Sequence, residues 1–154
     1  MRKILGRTIH IDACYLLALE EDDTRDFIRD QLNEAIYRRD RKGEVIRVSI
    51  VALGECLMRC LENPRYRIEN IFGWLDRLRV DTPAPDREVM RIANELMDLD
   101  YEMKPCDALI VAIALHDQSS YILLTTNPPL IGNRAINRKM KELGRNLKIT
   151  DRFR

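Results

Sequence analysis

Short apolar segments alternate along the chain with longer segments whose apolar residues recur every three or four positions. The short segments are rich in β-branched or continuous apolar residues. They predict strands at residues 7–11, 44–48, 121–125 and 147–149, with a further short strand at 79–81. The longer segments predict helices at residues 24–42, 49–62, 68–78, 86–99, 105–116 and 137–143. Strands that alternate with helices indicate βαβ units, so the predicted fold class is α/β with a mostly parallel central sheet flanked by helices.

Length and composition favour one folded domain spanning residues 1–154, because a chain of this size buries a sizeable core without metals or disulfides. The longest purely apolar run, residues 108–115, is far shorter than the roughly 18 residues that cross a bilayer. Four cysteines and an N-terminus without a secretion signal predict free thiols and a cytoplasmic location, and no membrane partner is expected.

The charge is nearly balanced overall but unevenly distributed. The net charge is +1, which excludes a polycation, yet residues 134–154 hold eight Lys/Arg against two Asp/Glu. Residues 81–107 hold eight acids against three bases. A basic segment of this kind is compatible with a polyanionic partner, and equally with an ordinary solvated surface of mixed charge.

Three acidic residues, Asp12, Glu55 and Asp107, stand among apolar neighbours, where a carboxylate is costly unless it meets a cation or several donors. Asp12 ends the first strand, and the other two lie in the first turns of helices, so all three are expected at one edge of a parallel sheet. Converging carboxylates repel, and oxygen ligands favour Mg²⁺ or Mn²⁺ over Zn²⁺. Structural roles are the alternative: Asp12 as a helix cap, Asp107 at a helix dipole, and Glu55 paired with an arginine.

A polar turn follows the third predicted strand. Thr125, Thr126 and Asn127 come directly after an apolar run, and their hydroxyls and amide are expected at the same sheet edge as the three acids. By themselves these residues are ordinary turn chemistry.

In this arrangement the sequence resembles a PIN domain, in particular the toxin ribonucleases of the VapC type, over residues 7–151. Residues 11–14 match a strand that ends in an acid followed by a small pair. Residues 49–55 match a helix that begins with serine and carries an acid. Residues 107–115 match an Asp-Ala pair at the start of a buried, alanine-rich helix, and residues 125–127 match the polar turn after an apolar strand.

The resemblance implies a three-layer α/β/α fold and a metal-dependent endoribonuclease that hydrolyses RNA with one or two Mg²⁺ or Mn²⁺ ions. Asp12, Glu55 and Asp107 would be the metal ligands, and Thr125 and Asn127 would complete the site. It also implies an RNA substrate, an antitoxin protein as a possible partner, and a homodimer. The basic residues of the segment 134–145 are expected to hold flanking phosphates.

One departure from the family pattern bears on catalysis. Many members have an acid where this chain has Asn127, and members with asparagine there often have an aspartate three residues later, where this chain has Leu130. Three carboxylates neutralise two divalent ions poorly, so we expect one well-held metal ion and a second that binds weakly or only with substrate. The same departure motivates the alternative of a catalytically weak or inactive PIN-like module that binds RNA or protein.

Other chemistries have weaker support in the sequence. Cys14, Cys56, Cys60 and Cys106 lack the C-x₂-C spacing of a zinc site and are expected to be free. Neither histidine has a serine or cysteine partner at motif spacing. There is no Gly-rich phosphate loop, and the acid and lysine patterns of aspartyl-phosphatases and receiver domains are missing from the sequence.

Overall fold

Four short parallel strands form a central sheet in the computed structural model, which describes residues 6–154. They are β1 (Thr8–Ile11), β2 (Val45–Arg47), β3 (Ser120–Leu124) and β4 (Lys148–Thr150), in the spatial order β2-β1-β3-β4. Most of the N-terminal segment considered for a secretion signal, residues 1–5, lies outside the described residues.

Helices flank the sheet and complete a three-layer α/β/α arrangement, which confirms the predicted fold class. They are α1 (Ala13–Leu17), α2 (Arg25–Lys42), α3 (Ile50–Glu62), α4 (Ile68–Leu78), α5 (Arg87–Leu99), α6 (Pro105–His116) and α7 (Arg134–Glu142). Two 3₁₀ turns, Ala18–Glu20 and Pro128–Leu130, follow α1 and the polar turn respectively.

Polar capping residues determine where α3 and α7 begin. The Ser49 side chain accepts a hydrogen bond from the Ala52 amide at 3.0 Å and begins α3, as predicted. The Asn133 side chain accepts from the Ile136 amide at 3.0 Å, so α7 begins at Arg134 and not at residue 137. The predicted strand at 79–81 is reduced to one isolated bridge between Arg47 and Asp81, because Arg79 adopts a left-handed conformation (φ 51°) that ends α4.

The core lies on both sides of β1 and around α6. β1 is buried along its whole length, as a central strand of a covered parallel sheet should be. Seven residues of α6 are buried, in keeping with its apolar sequence on nearly every face. This burial fixes the carboxyl end of β1 and the first turn of α6 relative to each other.

Candidate functional site

Asp12 follows β1 directly and is almost completely buried, with 1% of its surface exposed. Its Oδ1 accepts a hydrogen bond from the Ala13 amide at 2.7 Å and caps the short helix α1, which the sequence analysis did not predict. Its Oδ2 accepts from the Thr125 hydroxyl at 2.8 Å and from the Cys14 thiol at 3.2 Å. The capping role considered from sequence is thus present, and it leaves a carboxylate at the end of the central strand.

A chain of hydrogen bonds joins Asp12 to Asp107 across the end of the sheet. Thr125 donates to Asp12, and the Asn127 amide nitrogen of the main chain donates to the Thr125 hydroxyl at 3.1 Å. The Asn127 side-chain Nδ2 donates to Asp107 Oδ2 at 3.2 Å. An aspartate at position 127 has no such donor, so the asparagine fixes the Asp107 carboxylate without adding a negative charge.

Glu55 lies in the second turn of α3, half-buried, and makes no hydrogen bond or ion pair with any residue in the range 6–154. Burial raises the pKa of Glu55, and the negative charges of Asp12 and Asp107 raise it further. Arg59 and Lys104 act in the opposite direction. The arginine pairing considered from sequence is therefore an attraction at a distance and not a formed ion pair.

Asp107 lies in the first turn of α6, where the helix dipole favours a negative charge. Burial raises the pKa of Asp107, as does the charge of Asp12, while the hydrogen bond from Asn127 and the charges of Lys104 and Arg59 lower it. The carboxyl groups of Asp12, Glu55 and Asp107 therefore lie close enough for their charges to act on one another, at the sheet edge where the sequence analysis placed them.

The chemistry of these donors fits a hard divalent cation, because all three are carboxylates that repel one another without a counter-charge. The side chains are not drawn into a closed ligand set: among residues 6–154, no three His, Cys, Asp or Glu groups come close enough to hold one metal ion. Two of the carboxylates are held by neighbours on their own sheet edge, and Glu55 is unattached. Ligation by all three requires movement of their side chains.

The thiols beside the acids remain protonated. Burial and the charge of Asp12 raise the pKa of Cys14 to about 11, and burial raises that of Cys56 to about 12. Near neutral pH and without a bound metal ion, both groups are therefore thiols and not thiolates. Cys14 serves as a local connector: its sulfur accepts a hydrogen bond from the Thr126 amide at 3.4 Å.

Two clefts open beside the acids. Glu55, Arg59 and Thr126 line a cleft of about 460 Å³, and Lys104, Asp107 and Asn127 line another of about 350 Å³. Leu130, where some PIN domains have an acid, is buried, at 2% exposure.

Arg59 and Lys104 were not predicted from the sequence as residues of the site. Arg59 lies one helical turn after Glu55, and that spacing was the available signal.

Two of the five cations in the basic segment 134–145 make structural contacts with other elements. The Arg145 guanidinium donates to the carbonyl groups of Leu115, Asp117, Gln118 and Ser120. Lys139 is buried and pairs with Glu95 and Glu142, and Arg138 pairs with Glu142. The Arg138–Glu142 pair lies within α7, and Arg134, Arg138 and Lys141 stay exposed, so Lys139 and Arg145 are the cations taken up by structural contacts.

The fold is a parallel α/β/α sheet with three carboxylates near the carboxyl edge of the sheet. No family model and no curated protein matches the sequence. Among solved structures the chain matches one chain of VapBC2 from Rickettsia felis, solved bound to a DNA fragment from their promoter. The TM-score is 0.58 at 17% identity, over 92% of this chain and 96% of that chain. The protein thus has a PIN/VapC-like fold, as predicted.

No helix among residues 6–154 is long and apolar enough to cross a membrane. The longest, α2, carries charged residues along most of its length.

Proposed function

We propose that the protein is a metal-dependent endoribonuclease of the PIN/VapC toxin type, which hydrolyses RNA phosphodiester bonds with Mg²⁺ or Mn²⁺. The supporting observation is the run of hydrogen bonds from Asp12 through Thr125 and Asn127 to Asp107, beside a Glu55 whose charge is coupled to both acids. A purely structural pair of acids has no need of a third, unpartnered carboxylate.

Asp12, Glu55 and Asp107 would hold the metal. When bound, the cation supplies a more acidic attacking water and offsets negative charge that develops on the phosphate. Thr125 and Asn127 orient two of the carboxylates through their hydrogen bonds, as outer partners do around metal ligands. Glu55, which has no hydrogen bond within residues 6–154, is free to turn toward the other two.

Arg59 and Lys104 give the site its positive partners. Both attract Glu55 and Asp107, and they line the two clefts on either side of the acids. A phosphate that approaches the carboxylates would otherwise meet only negative charge. We therefore assign to Arg59 and Lys104 the binding of the scissile phosphate or its immediate neighbours.

The test is cleavage of a labelled single-stranded RNA by the purified protein with Mg²⁺, with Mn²⁺, and with excess EDTA. We expect cleavage with either metal, none with EDTA, and none by Asp107→Asn with metal. Asp98→Asn removes an exposed acid from α5 and should cleave like the parent. Metal-independent cleavage, or full activity in Asp107→Asn, would contradict the proposal.

Metal stoichiometry gives a separate prediction. Calorimetric titration with Mn²⁺ in the absence of RNA should show one tight site, because three carboxylates carry too little charge for two ions. Asn127→Asp should add a second site, since it places a fourth carboxylate beside Asp107. Two tight sites in the parent would contradict this expectation.

A catalytically weak PIN-like module is the second candidate. The neutral Asn127 and the buried Leu130 favour it, because both stand where some PIN domains have acids. RNA or protein binding without metal-dependent cleavage, in the same purified protein, would support the module over the enzyme.

We also carry over three properties from the PIN/VapC resemblance. These are an antitoxin partner, a homodimer and a cytoplasmic location. The fold similarity to a chain of VapBC2 supports the first. Light scattering of the purified chain measures the oligomeric state directly.

A further inference from the structure

A groove lined by arginines and aromatic rings lies next to the acidic site, along the outer sides of α2 and α4. Its volume is about 700 Å³, larger than that of either cleft beside the acids. The residues that define this arginine groove are Arg29, Arg65, Tyr66, Arg67, Trp74 and Arg77. The proposed nuclease site uses none of them.

Four cations of the groove have no acidic partner within the described residues. Arg29, Arg65, Arg67 and Arg77 are exposed, and none forms an ion pair there. This differs from the basic segment 134–145, where Lys139 and Arg145 are taken up by structural contacts. Four exposed arginines without ion pairs therefore lie together in the groove, where a polyanion can reach them.

The groove also contains four acids, of which one forms an ion pair and two accept hydrogen bonds from neutral groups. Glu20 accepts a hydrogen bond from Asn70, Glu21 accepts one from the Tyr66 hydroxyl, and Asp22 pairs with Arg25. Glu69 makes no such contact among residues 6–154. With Arg25, the lining holds five arginines against these four carboxylates, a net charge of +1. The groove is therefore weakly positive, and its unpaired arginines are the groups that a polyanion would contact.

Trp74 adds a stacking surface to this charge. Its ring is half-buried, and the Arg77 guanidinium lies 4.1 Å from the ring centre. An arginine stacked on an aromatic ring offers a flat face to a base and N–H donors to a phosphate at the same place. An acidic peptide would use the charges but not the ring, so the combination favours a single-stranded nucleic acid.

The arginine groove adjoins the cleft that contains Glu55. Tyr66 and Glu21 line both the arginine groove and the cleft that contains Glu55, Arg59 and Thr126. A strand lying in the groove would thus lead directly to the carboxylates.

We propose that the arginine groove binds single-stranded RNA on one side of the scissile phosphate. This inference rests on the proposed ribonuclease function for its choice of RNA. Arg65 and Arg67 contact phosphates, while Trp74 and Arg77 stack on a base. The contacts are to backbone and base faces, so they extend the substrate without reading its sequence.

The test uses RNA binding in EDTA, where no cleavage occurs. Trp74 is the single tryptophan of the chain, so its fluorescence reports on the groove directly. A short single-stranded RNA should quench this fluorescence saturably. The double variant Arg65→Gln/Arg67→Gln should bind about tenfold more weakly and lower the slope of log affinity against log salt by about 1.4, from about 0.7 per phosphate contact.

A matched double variant, Arg41→Gln/Arg87→Gln, removes the same charge from two exposed arginines outside the groove and should bind like the parent. Equal weakening by both pairs, or RNA binding without any change in Trp74 fluorescence, would overturn the proposal. Fluorescence quenching by an acidic peptide but not by RNA would also overturn it and point to a protein partner.

The outcomes separate this inference from the ribonuclease proposal. If RNA binds in the groove but is never cleaved with metal, the ribonuclease proposal is contradicted and the RNA-binding proposal for the groove is supported. If Arg65→Gln/Arg67→Gln binds RNA with parental affinity and cleaves it at the parental rate, the RNA-binding proposal for the groove is contradicted and the ribonuclease proposal is supported.

Discussion

Asp12→Asn is expected to reduce metal-dependent RNA cleavage by at least about 100-fold without unfolding the protein. Loss of an outer partner of a metal ligand costs about 10- to 100-fold, and loss of a ligand charge should cost no less. The amide oxygen still accepts from the Ala13 amide, because asparagine caps helices about as well as aspartate. The Thr125 hydroxyl can rotate and accept from the new amide group.

Cleavage rates with Mn²⁺ and thermal unfolding of the same samples measure both halves of this prediction. Thr125→Val is the companion variant, since it removes the donor to Asp12 and keeps the carboxylate. Its cleavage rate is expected to fall by about 10- to 100-fold, a smaller loss than that expected for Asp12→Asn. A folded Asp12→Asn protein with parental activity would mean that this carboxylate serves only to cap α1.

Asp117→Asn is expected to destabilise the fold by about 3 kcal/mol at neutral pH, because it removes the charge on which a partly buried network converges. Asp117 Oδ2 accepts from His10 Nε2 at 2.8 Å and from Arg47 at 2.5 Å, and its Oδ1 accepts from the Ser119 hydroxyl at 2.7 Å. Its side chain is only 13% exposed. Denaturant unfolding measures the loss, and Asp98→Asn, an exposed acid without partners among residues 6–154, should change stability by less than about 0.5 kcal/mol.

The pH dependence of this effect has a definite sign. Burial alone would raise the pKa of Asp117, but hydrogen bonds from His10 and Ser119 and the charges of His10 and Arg47 outweigh it, and the pKa is well below its usual range. A lowered pKa contributes stability above the unfolded value of about 3.9, and this is lost as the pH falls below it. The difference in unfolding free energy between parent and Asp117→Asn should therefore shrink from pH 5 to pH 2, and a constant difference would contradict the assignment.

Most of the fold could be predicted because its signals are local. The apolar run that forms β3 and the serine that caps α3 each act within a few residues. α1 was missed because its five residues are shorter than any useful helical period. The prediction of a strand at 79–81 was wrong for a different reason. The composition allows a strand, but the left-handed conformation of Arg79 leaves only one isolated bridge, between Arg47 and Asp81.

The candidate site was predictable in position but not in its contacts. The rule that parallel strands end at one edge places Asp12 beside Thr125 and Asn127. It does not specify that Asn127 donates to Asp107, or that Glu55 has no partner among residues 6–154, because these depend on rotamers and on packing across the sheet. The arginine groove was missed altogether, since its members come from two separated stretches, residues 29 and 65–77.

The pairing of β1 with β2 on one side and β3 on the other has a consequence for how the site arises. Thr125 and Asp12 are 113 positions apart in the sequence, and parallel strands cannot be closed by a simple hairpin. Contacts of such long range form late and slowly during folding. A nascent chain that has not yet produced β3 therefore lacks the Thr125 hydroxyl that orients Asp12, and the acidic centre cannot be completed before the turn after β3 has been synthesised.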